Sequence, residues 1–79
     1  MQEEDLSRYL WKGLDLERYS VFKIIPQDED NAAIIMYCND KDNPHWCVEY
    51  MGGGHYFSTF GELVNYYNSR FKVPINQYL

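Results

Sequence analysis

The sequence predicts a single α+β domain: a small antiparallel sheet of three to four strands flanked by an N-terminal and a C-terminal helix. Three observations carry this expectation. Two segments, Glu3 to about Gly13 and Phe60 to Phe71, place apolar residues at helical spacing. Between them lie runs rich in β-branched and aromatic residues, separated by short polar turns. Those turns are too short for crossover helices, so consecutive strands are expected to pair antiparallel. At 79 residues the chain is expected to form one domain spanning 1–79. Its hydrophobic content of 46% and aromatic content of 18% argue for a packed core and against disorder.

The elements follow in order. Leu6, Tyr9, Leu10 and Trp11 form one apolar stripe, with Glu3, Glu4 and Asp5 in the first turn, where they favour the positive end of a helix dipole. Gly13 supplies a stop. Ser20 to Ile25 reads as a strand that Pro26 ends, because proline cannot donate to a ladder. Gln27 to Asn31 is a charged turn. Ala32 to Cys38 is a nearly unbroken apolar run, as a central strand covered on both faces requires. Asn39 to Pro44 is a loop of turn formers. His45 to Tyr50 alternates, with Trp46, Val48 and Tyr50 expected toward the core and His45, Cys47 and Glu49 on the other face. Gly52, Gly53 and Gly54 are expected to close a hairpin, with Tyr56-Phe57 as a short return strand. Thr59 and Glu62 have capping-box spacing ahead of Phe60, Leu63, Val64, Tyr67 and Phe71. Pro74 stops the helix, and Ile75 to Leu79 either adds an edge segment or packs back on the core.

Charge narrows the function classes. The formal net charge is −5, and all twelve Asp and Glu residues lie at or before Glu62. A nucleic-acid binder needs a basic face, so direct binding is not expected. Nor is an anionic membrane surface, and no run of about 20 apolar residues is present to span a bilayer. The start Met1-Gln2-Glu3-Glu4-Asp5 is acidic, unlike a secretory leader. A whole small protein in a reducing cytoplasm (the host cytoplasm if it is viral) is therefore the expectation, with two cysteines too few for a disulfide framework.

Chemical motifs are sparse. Cys38, His45, Cys47 and His55 are possible zinc ligands but lack tight paired spacing, so no metal and no cofactor are expected. Cys47 shares a strand face with His45 but also with Glu49, which disfavours a thiolate nucleophile. No nucleophile elbow, phosphate loop or dinucleotide fingerprint is present, so no enzyme is expected. Asp40-Lys41-Asp42-Asn43 lacks the glycine and glutamate that complete a calcium loop, which leaves a solvated turn.

Two stretches carry a resemblance. His45-Trp46-Cys47-Val48 and Phe57-Ser58-Thr59-Phe60-Gly61-Glu62-Leu63-Val64, followed by Tyr66-Tyr67, resemble the third main strand and the second helix of an SH2 domain, with the glycine turn between them. The resemblance covers roughly Glu3 to Leu79. It implies a sheet between two helices and a phosphate pocket. Lys23 falls near the family's phosphate-binding arginine, with His45 as its companion. Lysine gives a point charge where arginine gives a bidentate fork, and Glu3 and Cys47 stand where the family carries further basic residues. The pocket implied is therefore degenerate.

Two functional expectations follow. The first is a non-catalytic protein-binding module with ligand residues Lys23 and His45. The second is a small acidic inhibitor of phage or mobile-element type, anti-CRISPR or anti-restriction in kind, that blocks a nucleic-acid-processing or defence enzyme. Its carboxylates would face a basic groove on that protein. Asp28, Glu29 and Asp30 on one loop, Asp40 and Asp42 on another, and the aromatics Trp11 and Tyr37 are the candidate partner contacts. Tyr19, Tyr66 and Tyr78 are further aromatics not obviously consumed by a core.

Overall fold

Four consecutive strands form one antiparallel sheet in the computed structural model, which describes residues 6–10 and 14–79. They are β1 Tyr19–Pro26, β2 Ala32–Cys38, β3 His45–Tyr50 and β4 Gly53–Phe57, in the spatial order β1-β2-β3-β4. Helix α1, Phe60–Arg70, follows, and a 3-10 turn at Ile75–Gln77 ends the chain. The sheet and the C-terminal helix match the expected α+β layering. The expected N-terminal helix is not seen: its described part, Leu6–Tyr9, is a 3-10 turn. Residues 3–5 and 11–13 of that segment, Trp11 among them, lie outside the described residues.

Strand β2 is central, and every residue in it except Tyr37 is buried. It carries the two faces of the sheet. On one face Ile25, Ala33, Ile35 and Val48 pack against Leu63 and Tyr67 of α1 and against Ile75. Trp46, Tyr50, Phe57 and Phe60 close the rim of that core. On the other face Ile34, Met36 and Cys47 are covered by Tyr9, Leu10 and Leu14 from the N-terminal segment, with Tyr19, Val21 and Ile24 from β1. Cys47 is as buried as Val48. The β3 alternation therefore separates two cores, where the sequence suggested one core and one outer face.

The termini of α1 follow from its sequence. Thr59 accepts from the Glu62 backbone N–H, and the Glu62 carboxylate accepts from the Thr59 backbone N–H, which completes the capping box. Beyond the helix, the Ile75 N–H donates to Asn68 Oδ1 at 2.9 Å, which turns the tail back so that Ile75 enters the core. The Gln27 amide reaches from the β1–β2 turn to Tyr67 Oη at 2.8 Å, tying helix to sheet.

Two irregularities matter for the site. Val21 pairs with Met36 and Lys23 pairs with Ile35, so Phe22 is an extra residue forming a β-bulge. Tyr50 pairs with Gly53, so the hairpin loop is Met51-Gly52, with φ of 51° and 82°. Gly53 and Gly54 therefore belong to β4, correcting the expected three-glycine turn. Positive φ at both loop residues suits the twist of a two-residue hairpin.

Candidate functional site

Antiparallel order puts the β1–β2 turn and the β3–β4 turn at the same end of the sheet. A cleft of about 420 Å³ opens there, lined by Asp30 and Asn31 from the first turn, Glu49 and Tyr50 from β3, Met51 and Gly52 from the second turn, and Tyr9 from the N-terminal segment. The first turn is organised by Asp28. Its carboxylate accepts from the backbone N–H groups of Asp30 (2.9 Å) and Asn31 (2.8 Å) and from the Asn31 side-chain amide. The Asp30 N–H, the Asn31 amide and the Asn31 N–H together hold the Asp28 carboxyl below its ordinary value. Asp28 is thus consumed by its own turn, while Glu29 and Asp30 stay exposed. The Tyr9 hydroxyl donates to the Asp28 carbonyl at 3.4 Å and takes a 2.8 Å hydrogen bond from Arg8, which docks the N-terminal segment at the cleft.

Glu49 projects from β3 on the face away from α1. The Cys47 thiol donates to its carboxylate at 3.5 Å. Burial, and then the Glu49 charge, push that thiol up to about 12, so it stays protonated at neutral pH. On the neighbouring strand Gly54 lies opposite Glu49, and a Cβ at Gly54 would sit 2.5 Å from Glu49 Oε1. Met51, at 70% exposure, and Tyr56, at 60%, stand on either side of this position along the chain.

A second cleft, of about 410 Å³, lies at the other end of β4 and is lined by Arg18, Tyr19, Asn43, His45, Tyr56, Phe57 and Ser58. Its His45, Tyr19 and Arg18 side chains are already partnered. His45 Nδ1 lies 2.8 Å from the Asn43 carbonyl, which can only accept, so Nδ1 carries the proton. Nε2 shares a hydrogen bond with the Tyr19 hydroxyl at 3.1 Å. Arg18 is paired with Asp40 at 3.5 Å.

Lys23 and His45 are not brought together. Without the bulge, Lys23 would share the face of Tyr19 and Val21, where His45 points. The extra residue Phe22 moves Lys23 into register with Ile35 on the α1 side. The cation beside His45 is Arg18 instead. The two acidic loops lie at opposite ends of β2, about 20 Å apart at strand rise. Asp40 accepts from the Asp42 N–H and is spent on Arg18, and Asp42 is exposed. Tyr37 leans on Trp46 at 4.9 Å, inside an aromatic group with Phe22 and Phe60. Tyr66 stacks on His55 at 4.7 Å, and Tyr78 packs on the core.

Among the described residues, Asp30 is the one candidate from the sequence that lines the acidic cleft. Glu49, Met51, Gly54 and Tyr56 were missed. The β3 alternation marked Glu49 as facing away from Trp46, Val48 and Tyr50, and that signal pointed to it. Among the described residues no group of three or more His, Cys, Asp or Glu side chains is placed to hold a metal ion. No helix among them is long and apolar enough to cross a membrane. Comparison with protein-family models, curated proteins and solved structures finds no match to this chain.

Proposed function

We propose that this chain is a small non-catalytic protein-binding module whose partner presents cationic side chains to the cleft between the two turns. The observation that carries this reading is the convergence of Asp30 and Glu49 beside Tyr9, Tyr50 and the exposed Met51, with no Lys or Arg among the described residues that line the cleft. Carboxylates at the edge of aromatic and methionine surface suit a desolvated, charge-steered contact. The SH2-like resemblance supports an interaction role, and the sheet-then-helix order is in keeping with it. Phosphotyrosine is not the ligand taken here, because Lys23 and His45 point to opposite faces and His45 has both ring nitrogens engaged.

An inhibitor of a basic-grooved, nucleic-acid-processing enzyme is one use of the same surface. The net charge of −5 favours it. The distance between the acidic loops argues for a local contact at one end of the sheet and against a continuous mimic of a phosphate backbone.

The test uses a short peptide alternating lysine and valine, and its counterpart with glutamine in place of lysine. Isothermal titration is expected to show binding of the lysine peptide alone, weakening as salt is raised. The pair Asp30→Asn and Glu49→Gln is expected to weaken it roughly two- to thirtyfold, from partly exposed ion pairs worth about 0.2–1 kcal/mol each. Equal binding of the glutamine peptide would sink the reading.

A further inference from the structure

The sheet is an open meander, so it has two edges, and they are built differently. The β1 edge is blunted. It carries the Phe22 bulge, a lysine at position 23 and a proline at its end. Bulges, lysine and proline are the devices that keep an edge from pairing with another chain. Strand β4 has none of them. Its sequence is Gly53-Gly54-His55-Tyr56-Phe57, it pairs in unbroken register with β3, and its first four residues are exposed. Among the described residues nothing pairs with its outer side. An unbulged, uncharged edge with a row of unmet N–H and C=O groups is a template for an added strand.

The chemistry of the added strand follows from Gly54. A Cβ there would sit 2.5 Å from Glu49 Oε1 and 2.9 Å from the Tyr56 hydroxyl. Both polar groups therefore occupy the space above Gly54, where any other residue would carry its own side chain. The missing side chain lets the Glu49 carboxylate reach over β4 toward the open edge. A residue of a fifth strand, on that face and beside Gly54, meets the carboxylate. A second copy of this chain is the wrong occupant, because symmetric β4–β4 pairing brings the two Glu49 carboxylates toward one another between chains each carrying −5. At the far end of β4, Arg18 already has Asp40.

We propose that the outer edge of β4 receives an extended segment of the partner as a fifth strand, with a lysine or arginine lying across Gly54 against Glu49. This rests on the cationic-partner reading above and assigns its docking mode: main-chain hydrogen bonds supply affinity, and the cation opposite Gly54 supplies selectivity.

The first test leaves the protein unaltered and modifies the probe. The lysine–valine peptide is made in two further forms, N-methylated on every lysine or on every valine. Only one set of amides faces β4, so one form is expected to bind at least about tenfold more weakly, through the loss of several main-chain hydrogen bonds, and the other like the parent. Amide exchange is expected to slow at outward-facing N–H groups within Gly53–Phe57 when the parent peptide is added. Glu49→Gln is expected to reduce the preference for lysine over glutamine. Salt-dependent binding to which both methylated forms are indifferent overturns strand addition and leaves the cationic-partner reading standing. Failure of every lysine peptide to bind overturns both. Slowed β4 exchange without peptide, together with a dimer in sedimentation, overturns the peptide occupant in favour of a second copy.

Discussion

Cys47 shows how a side chain on a strand face can be made inert by its surroundings. It is fully buried, it donates to Glu49, and burial and the carboxylate together push the thiol up to about 12. In the unfolded chain the same thiol titrates near 9.0. The folded state therefore binds the proton more tightly, and Cys47 contributes stability that is full below 9.0 and lost as pH rises toward 12. Urea midpoints measured on both sides of 9.0 are expected to fall more steeply with pH for the parent than for Cys47→Ala. Iodoacetamide is expected to leave Cys47 unmodified until the protein unfolds; rapid alkylation of the native form would contradict this. The residue scale is also where reading from sequence breaks down. Strict alternation along β1 puts Lys23 with Tyr19 and Val21, and one bulged residue, Phe22, reverses that. Nothing in Ser20-Val21-Phe22-Lys23 announces a bulge, because its cause is tertiary: the Phe22 ring packs edge-on against Trp46 and Phe60.

Elements were legible wherever local chemistry alone determines them. Strands β2 and β3 and the capped start of α1 stand where their residues predict, because an apolar run, an alternation and a Thr59–Glu62 box each act within a few positions. The box supports a direct prediction. Thr59→Ala removes the acceptor for the Glu62 N–H and is expected to cost about 1 kcal/mol in urea denaturation, while Thr59→Ser retains it. Equal losses in the two variants would show that the Thr59 methyl group, and not its hydroxyl, is what matters. The hairpin was less legible. Three glycines in a row offer several loops, and the one used takes only Gly52 together with Met51, at φ 51°. A methionine with positive φ is uncommon enough that sequence reasoning passes over it. The same two-residue loop leaves Gly53 and Gly54 in β4, and so creates the open edge that reading a loop over Gly52–Gly54 conceals.

At the scale of the whole molecule, what sequence leaves unread is which loops share an end. The acidic loops were visible as sequence, but the grouping of Asp30 with Glu49 and Met51 needs the antiparallel order of four strands to bring two turns together. The same order has a kinetic consequence. Each strand hydrogen-bonds to the one that precedes or follows it in the chain. Closing such short loops costs little entropy, so the sheet can grow one hairpin at a time. Refolding is expected within about milliseconds, in the range of mixed α/β domains of low contact order. If the β2–β3 hairpin is the nucleus, Val48→Ala will slow refolding, whereas Ile75→Val, in the last turn to dock, will chiefly speed unfolding. Stopped-flow rates with the reverse pattern would place the nucleus in the C-terminal half. If the sheet grows in that order, the β4 edge is complete before α1 docks, and it is open to a pairing neighbour in the folding chain as it is in the native one.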